Sequence, residues 1–120
     1  MKIAITSTGK DLDSAVDLRF GRASGFITYN LEDDSFEFID NVQNLNASQG
    51  AGIQAAQNVV NQNAEAVVTG NCGPKAFSVL SGAGVKVYIG AEGTVKETVQ
   101  KFRNNELQEA VSANVEGHWM

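Results

Sequence analysis

Residues 66–77 of this 120-residue chain read Ala66-Val67-Val68-Thr69-Gly70-Asn71-Cys72-Gly73-Pro74-Lys75-Ala76-Phe77. An apolar β-branched run breaks into small residues and then meets a proline positioned to open a helix, where its missing N–H costs nothing. Such a turn aims backbone N–H groups and the positive end of a helix dipole at whatever lies beside it. Gly70, Asn71 and Gly73 leave room for a small anionic ligand, and Lys75 is a cation in a first turn, a misfit that an anion would relieve. The alternative reading is a tight connection that uses glycine for its backbone angles. Cys72, the only cysteine, lies in the same turn. Its thiolate at a helix N-terminus would be favoured by the dipole and could bind metal; equally, a free cysteine can be a small buried apolar side chain.

Other reactive types are sparse. His118 is the only histidine, two residues from the end; imidazole is a common transition-metal ligand, and a tail could carry it over the turn with Trp119 as a cover, or leave it solvated. Arg19 and Arg22 flank Phe20-Gly21 as a close basic pair. They could steady an anion through charge-assisted hydrogen bonds, or Arg22 could pair with Asp17 while Phe20 plugs the core. Asp11, Asp13 and Asp17 lack the glycine and closing glutamate of an EF-hand loop and read as solvated carboxylates. Gly50, Gly52, Gly90 and Gly93 lead into helices; they could line one crevice or serve helix starts and close packing. Gly50-Ala51-Gly52 is too short for a dinucleotide fingerprint.

These residues must be positioned by a scaffold that the hydrophobic rhythm outlines. Residues 2–7 suit a central strand, 10–24 a long ordered loop, and 26–29 with 36–40 a β-hairpin turning at Glu32-Asp33-Asp34-Ser35. Residues 50–61 place Ile53, Ala56 and Val60 on one helical face. A strand follows at 65–69, a helix from the turn to about Ser81, and a strand at 85–89. Thr94 and Glu97 fit a capping box, opening a helix whose apolar face is Val95, Val99 and Phe102. The tail, 108–120, has weak periodicity and reads as partly disordered. The order β-β-β-α-β-α-β-α predicts a three-layer α/β domain over 1–107 with a five-stranded mixed sheet flanked by helices. The helices after 65–69 and 85–89 should start near one another at the carboxyl edge, where open α/β sheets bind ligands.

Composition narrows the function classes. Hydrophobic residues make up 42% and the net charge is −5, from 14 acidic and 9 basic residues. Extended nucleic-acid binding needs basic residues gathered on a face, which scattered lysines and arginines do not supply. No apolar run approaches a membrane span, and the short apolar start is too brief for a signal segment. A single cysteine excludes an internal disulfide and suits a reducing cytoplasm.

Five motifs in order give a resemblance. They are Val16-Asp17-Leu18-Arg19-Phe20-Gly21-Arg22-Ala23, Ile39-Asp40-Asn41, Gly50-Ala51-Gly52-Ile53-Gln54-Ala55-Ala56, Thr69 through Phe77, and Gly84-Val85-Lys86-Val87-Tyr88. Together, over roughly residues 1–107, the chain resembles the dinitrogenase iron–molybdenum cofactor biosynthesis family. That resemblance implies a ribonuclease-H-like fold and a non-catalytic protein that binds or carries an anionic iron–molybdenum–sulfur cluster, its precursor or a related molybdenum cluster. Some relatives act in nitrogenase maturation and others hold molybdenum clusters outside it, so cofactor-assembly proteins are the implied partners. On this reading Arg19, Arg22, Gly70, Asn71, Gly73 and Lys75 cradle the cluster, and Cys72 or His118 supplies any direct bond to metal. One cysteine cannot cage a bare iron–sulfur cluster but could anchor a preassembled one. Two other classes compete. Cys72 could serve a redox or regulatory interaction module, although no resolving cysteine is present. A ribonuclease-H-like nuclease needs clustered carboxylates, and residues 2–8 contain no Asp or Glu.

Overall fold

In a computed structural model, the structure describes residues 1–42 and 50–113. It is a three-layer α/β domain. The strands are β1 (Lys2–Ser7), β2 (Gly25–Asn30), β3 (Phe36–Asp40), β4 (Ala66–Val68), β5 (Lys86–Ile89) and β6 (Gln108–Glu109); the helices are α1 (Ala51–Asn61), α2 (Pro74–Gly82) and α3 (Val95–Arg103). The sheet runs β3-β2-β1-β4-β5-β6. β1, β4 and β5 are parallel, while β2 is antiparallel to both β1 and β3, and β6 is antiparallel to β5.

The sheet therefore has six strands, not five. β6 falls inside the segment expected to be a loose tail. Its two residues pair with Tyr88 and Ile89, and the Ala110 N–H donates to the Val87 carbonyl at 2.8 Å. Both side chains of β6 are exposed; the strand is held by backbone pairing and by its neighbours Leu107 and Ala110, which pack against opposite clusters, so its own two residues leave no hydrophobic alternation to read.

Alternation along the inner strands sorts the helices. Ala4 and Val67 face one side, where they join Ala55, Ala56 and Val59 of α1 with Ala76 and Leu80 of α2. Ile3, Ile5, Ala66 and Val68 face the other, against Val95 and Val99 of α3. Burying these side chains is the main favourable contribution, each worth roughly 1.5–3 kcal/mol for a Val, Leu, Ile or Phe. The expected capping box forms: Thr94 Oγ1 accepts from the Glu97 N–H at 3.1 Å, and Glu97 Oε1 accepts from the Thr94 N–H at 2.9 Å.

The carboxyl ends of β1, β3, β4 and β5 share one edge of the sheet, and all three helices begin there. α2 and α3 do not begin side by side, however, because they pack on opposite faces. α2 instead neighbours α1. Among the described residues, no helix is long and apolar enough to cross a membrane.

Candidate functional site

The segment after β1 runs back along the carboxyl edge and is hydrogen-bonded to it at several points. The Asp17 N–H donates to the Thr6 carbonyl at 2.9 Å, and the buried Thr6 hydroxyl donates to the Asp17 carbonyl at 2.6 Å while lying 2.9 Å from Thr69 Oγ1. The Phe20 N–H donates to the Asn71 carbonyl at 3.2 Å, and Asn71 Nδ2 donates to the Leu18 carbonyl at 3.0 Å. Phe20 is fully buried, its ring centroid 5.6 Å from that of Phe26. Two glycines permit the close approach. A Cβ on Gly70 would stand 2.9 Å from the Leu18 carbonyl oxygen, and one on Gly21 would stand 3.0 Å from the backbone of Gly52 in α1. The loop is thus wedged between the starts of α1 and α2.

Two side chains of this loop stand in solvent. Arg19 and Arg22 are exposed on either side of the buried Phe20. Of the two alternatives for Phe20 and Arg22, the structure bears out the plug but not the ion pair. The Asp17 carboxylate accepts the Arg19 backbone N–H at 3.1 Å instead. Among the described residues the ion pairs are Met1–Glu32 and Arg103–Asp34, so neither loop guanidinium is engaged in one. Arg22 borders an open hollow of about 260 Å³ with Gly21, Ala23 and Asn41. Lys75 is exposed in the first turn of α2.

The helix starts differ in what they offer. α3 is closed: its Val95 and Lys96 N–H groups donate to the Ser14 and Leu12 carbonyls, both at 2.9 Å, and Thr94 caps it. α1 and α2 are preceded by Gly50 and Gly73, neither of which supplies a side-chain cap. Gly90 and Gly93 adopt positive φ, at 82° and 84°, and the Gly90 N–H donates to the Gly70 carbonyl at 3.1 Å.

Cys72 departs from the expectation of a favoured thiolate. It is fully buried in the core shared by α1 and α2, with Sγ 3.7 Å from the Gly73 carbonyl oxygen. Loss of solvent pushes its thiol from an ordinary 9.0 up to about 12. A helix N-terminus contributes typically about 0.3–1 kcal/mol, under one pKa unit, and cannot offset that rise. His118 and Trp119 lie outside the described residues. Among those described, no three of His, Cys, Asp and Glu gather closely enough to hold a metal ion. Asp40 ends β3 at the carboxyl edge, whereas Glu65 precedes β4 at the opposite edge, where its Oε2 accepts the Lys2 N–H at 3.2 Å. These two carboxylates cannot share a metal pair.

The arrangement brings Arg19, Gly70, Asn71, Gly73 and Lys75 to one edge, with Arg22 beside the α1 start, and turns Cys72 inward. Sequence reasoning gave no role to Asn41, whose side chain bonds the loop, or to Asn58 of α1, which donates to the Asn41 side chain; only the position of Asn41 in a motif marked it.

Comparison with known proteins places this geometry among relatives. Residues 1–105 match the family described as dinitrogenase iron-molybdenum cofactor. The apo form of the orange protein from Desulfovibrio gigas superposes with a TM-score of 0.89 at 41% identity, covering 95% of this chain and 96% of that one. A Thermotoga protein whose NMR structure bears a NifB designation gives a TM-score of 0.81 at 37% identity, covering 97% and 98%. An uncharacterized protein of Methanocaldococcus jannaschii is 27% identical over 110 residues, 90% of each chain.

Proposed function

The chain belongs to the dinitrogenase iron–molybdenum cofactor family, and on that premise we propose that it is a non-catalytic carrier of an anionic metal–sulfur cluster. The cargo is the iron–molybdenum cofactor, its precursor or a related molybdenum cluster, exchanged with cofactor-assembly proteins. One observation carries the reading. A loop hydrogen-bonded to the carboxyl edge holds two exposed guanidiniums, engaged in no ion pair among the described residues, beside the starts of α1 and α2, which are preceded by Gly50 and Gly73. Guanidinium forks and oriented backbone dipoles attract an anion without covalent bonds and without chemistry on it. The orange protein was solved as an apo form, a description that presupposes a loaded one.

The donor set fits a cluster held by charge, with Arg19 and Arg22 supplying most of the attraction and Gly70, Asn71, Gly73 and Lys75 forming the floor. It does not fit ligation by Cys72, whose thiol is buried and held protonated. The same burial disfavours a redox-sensor role, which needs an accessible, low-pKa thiol. A ribonuclease-H-like topology, implied by the resemblance, belongs to this proposal without that fold's carboxylate chemistry, because Asp40 and Glu65 sit at opposite edges.

The test is anaerobic uptake. Apo protein is mixed separately with isolated iron–molybdenum cofactor and with tetrathiomolybdate plus copper, then gel-filtered, with metal analysis of the protein peak. Stoichiometric metal in the wild type and in Cys72→Ala, and its loss in the Arg19→Ala/Arg22→Ala double variant, is the expected result. Metal-free wild-type protein from both mixtures would discard the carrier role.

A further inference from the structure

We infer that Asn41, braced by Asn58, is the residue that positions Arg22 for anion binding; the inference rests on the anion-site reading above and adds the device that makes it work. Arg22 lies on a loop after the buried plug Phe20. One side chain reaches the backbone on both sides of Arg22. Asn41 Nδ2 donates to the Ala23 carbonyl at 3.0 Å and, at the long limit of 3.5 Å, to the Gly21 carbonyl. The Asn41 backbone N–H also donates to the Ser24 carbonyl at 3.2 Å. Its amide therefore bridges the backbone on both sides of the guanidinium.

The polarity of that bridge is fixed from behind. Asn58 Nδ2 donates to Asn41 Oδ1 and to the Val42 carbonyl, both at 3.1 Å. Turning the Asn41 amide over would aim its oxygen at two carbonyls and its NH₂ at the Asn58 donor, so only one orientation satisfies every group. The chain of bonds runs from α1 through Asn58 and Asn41 to the loop, and Asn41 itself borders the hollow beside Arg22. It also occupies the two carbonyl oxygens flanking Arg22, which would otherwise repel an anion there. A loop backbone held in this way sets where the Arg22 side chain leaves the surface, and less order has to be imposed on the loop when the ligand binds.

Tetrathiomolybdate serves as the probe, with affinity measured anaerobically for wild type, Arg22→Ala, Asn41→Ala, Asn58→Ala and the Arg22→Ala/Asn41→Ala double variant. Asn41→Ala should weaken binding about tenfold, Asn58→Ala about threefold, and the double variant no more than Arg22→Ala alone, because without the guanidinium nothing remains to position. Amide hydrogen exchange over residues 20–24 of the ligand-free protein should quicken in Asn41→Ala and Asn58→Ala. Wild-type affinity in both asparagine variants, or losses that multiply in the double variant, overturns the positioning role and leaves the anion site standing. Absence of binding by the wild type, or full binding by Arg22→Ala, overturns the site reading and this inference with it. Should Asn41→Ala fail to fold, Asn58→Ala, which removes only the brace, decides through the same cycle with Arg22→Ala.

Discussion

Cys72 is the residue at which sequence and structure part most clearly. The motif around it is compatible with a thiol aimed outward over the helix start or inward beneath it, because small neighbours leave both rotations open. The structure turns it inward, and the cost of ionising it there has a sign that can be worked out. The folded thiol keeps its proton up to about 12, whereas the unfolded one releases it near 9.0. Its stabilising effect is therefore complete below about pH 9 and is lost as pH rises toward 12, at up to about 1.4 kcal/mol per pH unit. Denaturant titrations between pH 8 and roughly 10.5 should show wild type losing stability more steeply than Cys72→Ala. Parallel curves would mean that the thiol is not buried as described. At neutral pH, removing one buried sulfur should cost on the order of 1 kcal/mol and leave cluster binding intact.

At the scale of elements, glycines decide how closely the loop may approach the sheet edge. Gly70→Ala would force its Cβ to 2.9 Å from the Leu18 carbonyl oxygen, a backbone atom that cannot swing aside. It should destabilise by roughly 1–3 kcal/mol and lower the melting temperature by several degrees, since each kcal/mol is worth about 3–6 °C at this size. Gly82→Ala, at the end of α2 with nothing within 4 Å of the new Cβ, should instead be neutral or stabilise by up to about 1 kcal/mol. Thermal melts of the two variants side by side check the contrast. The elements themselves were largely legible: β-branched runs gave β1, β4 and β5, the proline placed α2, and Thr94 with Glu97 fixed the start of α3. What was not legible came from contacts distant in sequence. β6 has no apolar pattern of its own and forms where β5 offers an edge and Leu107 and Ala110 pack beside it. Asn41 joins a partner 17 positions away and carbonyls 18 and 20 positions back, which local spacing cannot reveal. That Arg22 makes no ion pair among the described residues was equally hidden, since only the structure shows the Asp17 carboxylate accepting the Arg19 backbone N–H.

For the whole molecule, a net charge of −5 would oppose the proposed binding of an anion at the two arginines. The two effects act over different distances. The radius of gyration is 12.7 Å, so most surface charges lie farther from the site than the roughly 10 Å screening length at 0.1 M salt, while the guanidiniums act at contact. Salt should first relieve the general repulsion and only later weaken the contact pairs. Tetrathiomolybdate affinity is thus expected to pass through a maximum near about 0.1 M ionic strength and to fall toward 1 M, where the screening length is about 3 Å. Equilibrium dialysis across that range tests this, and a steady decline from the lowest salt would show that the local charges dominate throughout.

The closed start of α3 has a consequence for traffic. With that helix sealed by the Ser14 and Leu12 carbonyls, a passenger held as proposed would sit against the Arg19–Arg22 loop on the α1 and α2 face, and loading and unloading would use the same doorway. A donor and an acceptor cannot then stand at it together. Delivery becomes a relay in which one visitor leaves before the next arrives, and an excess of empty acceptor should slow the first loading instead of hastening the handover.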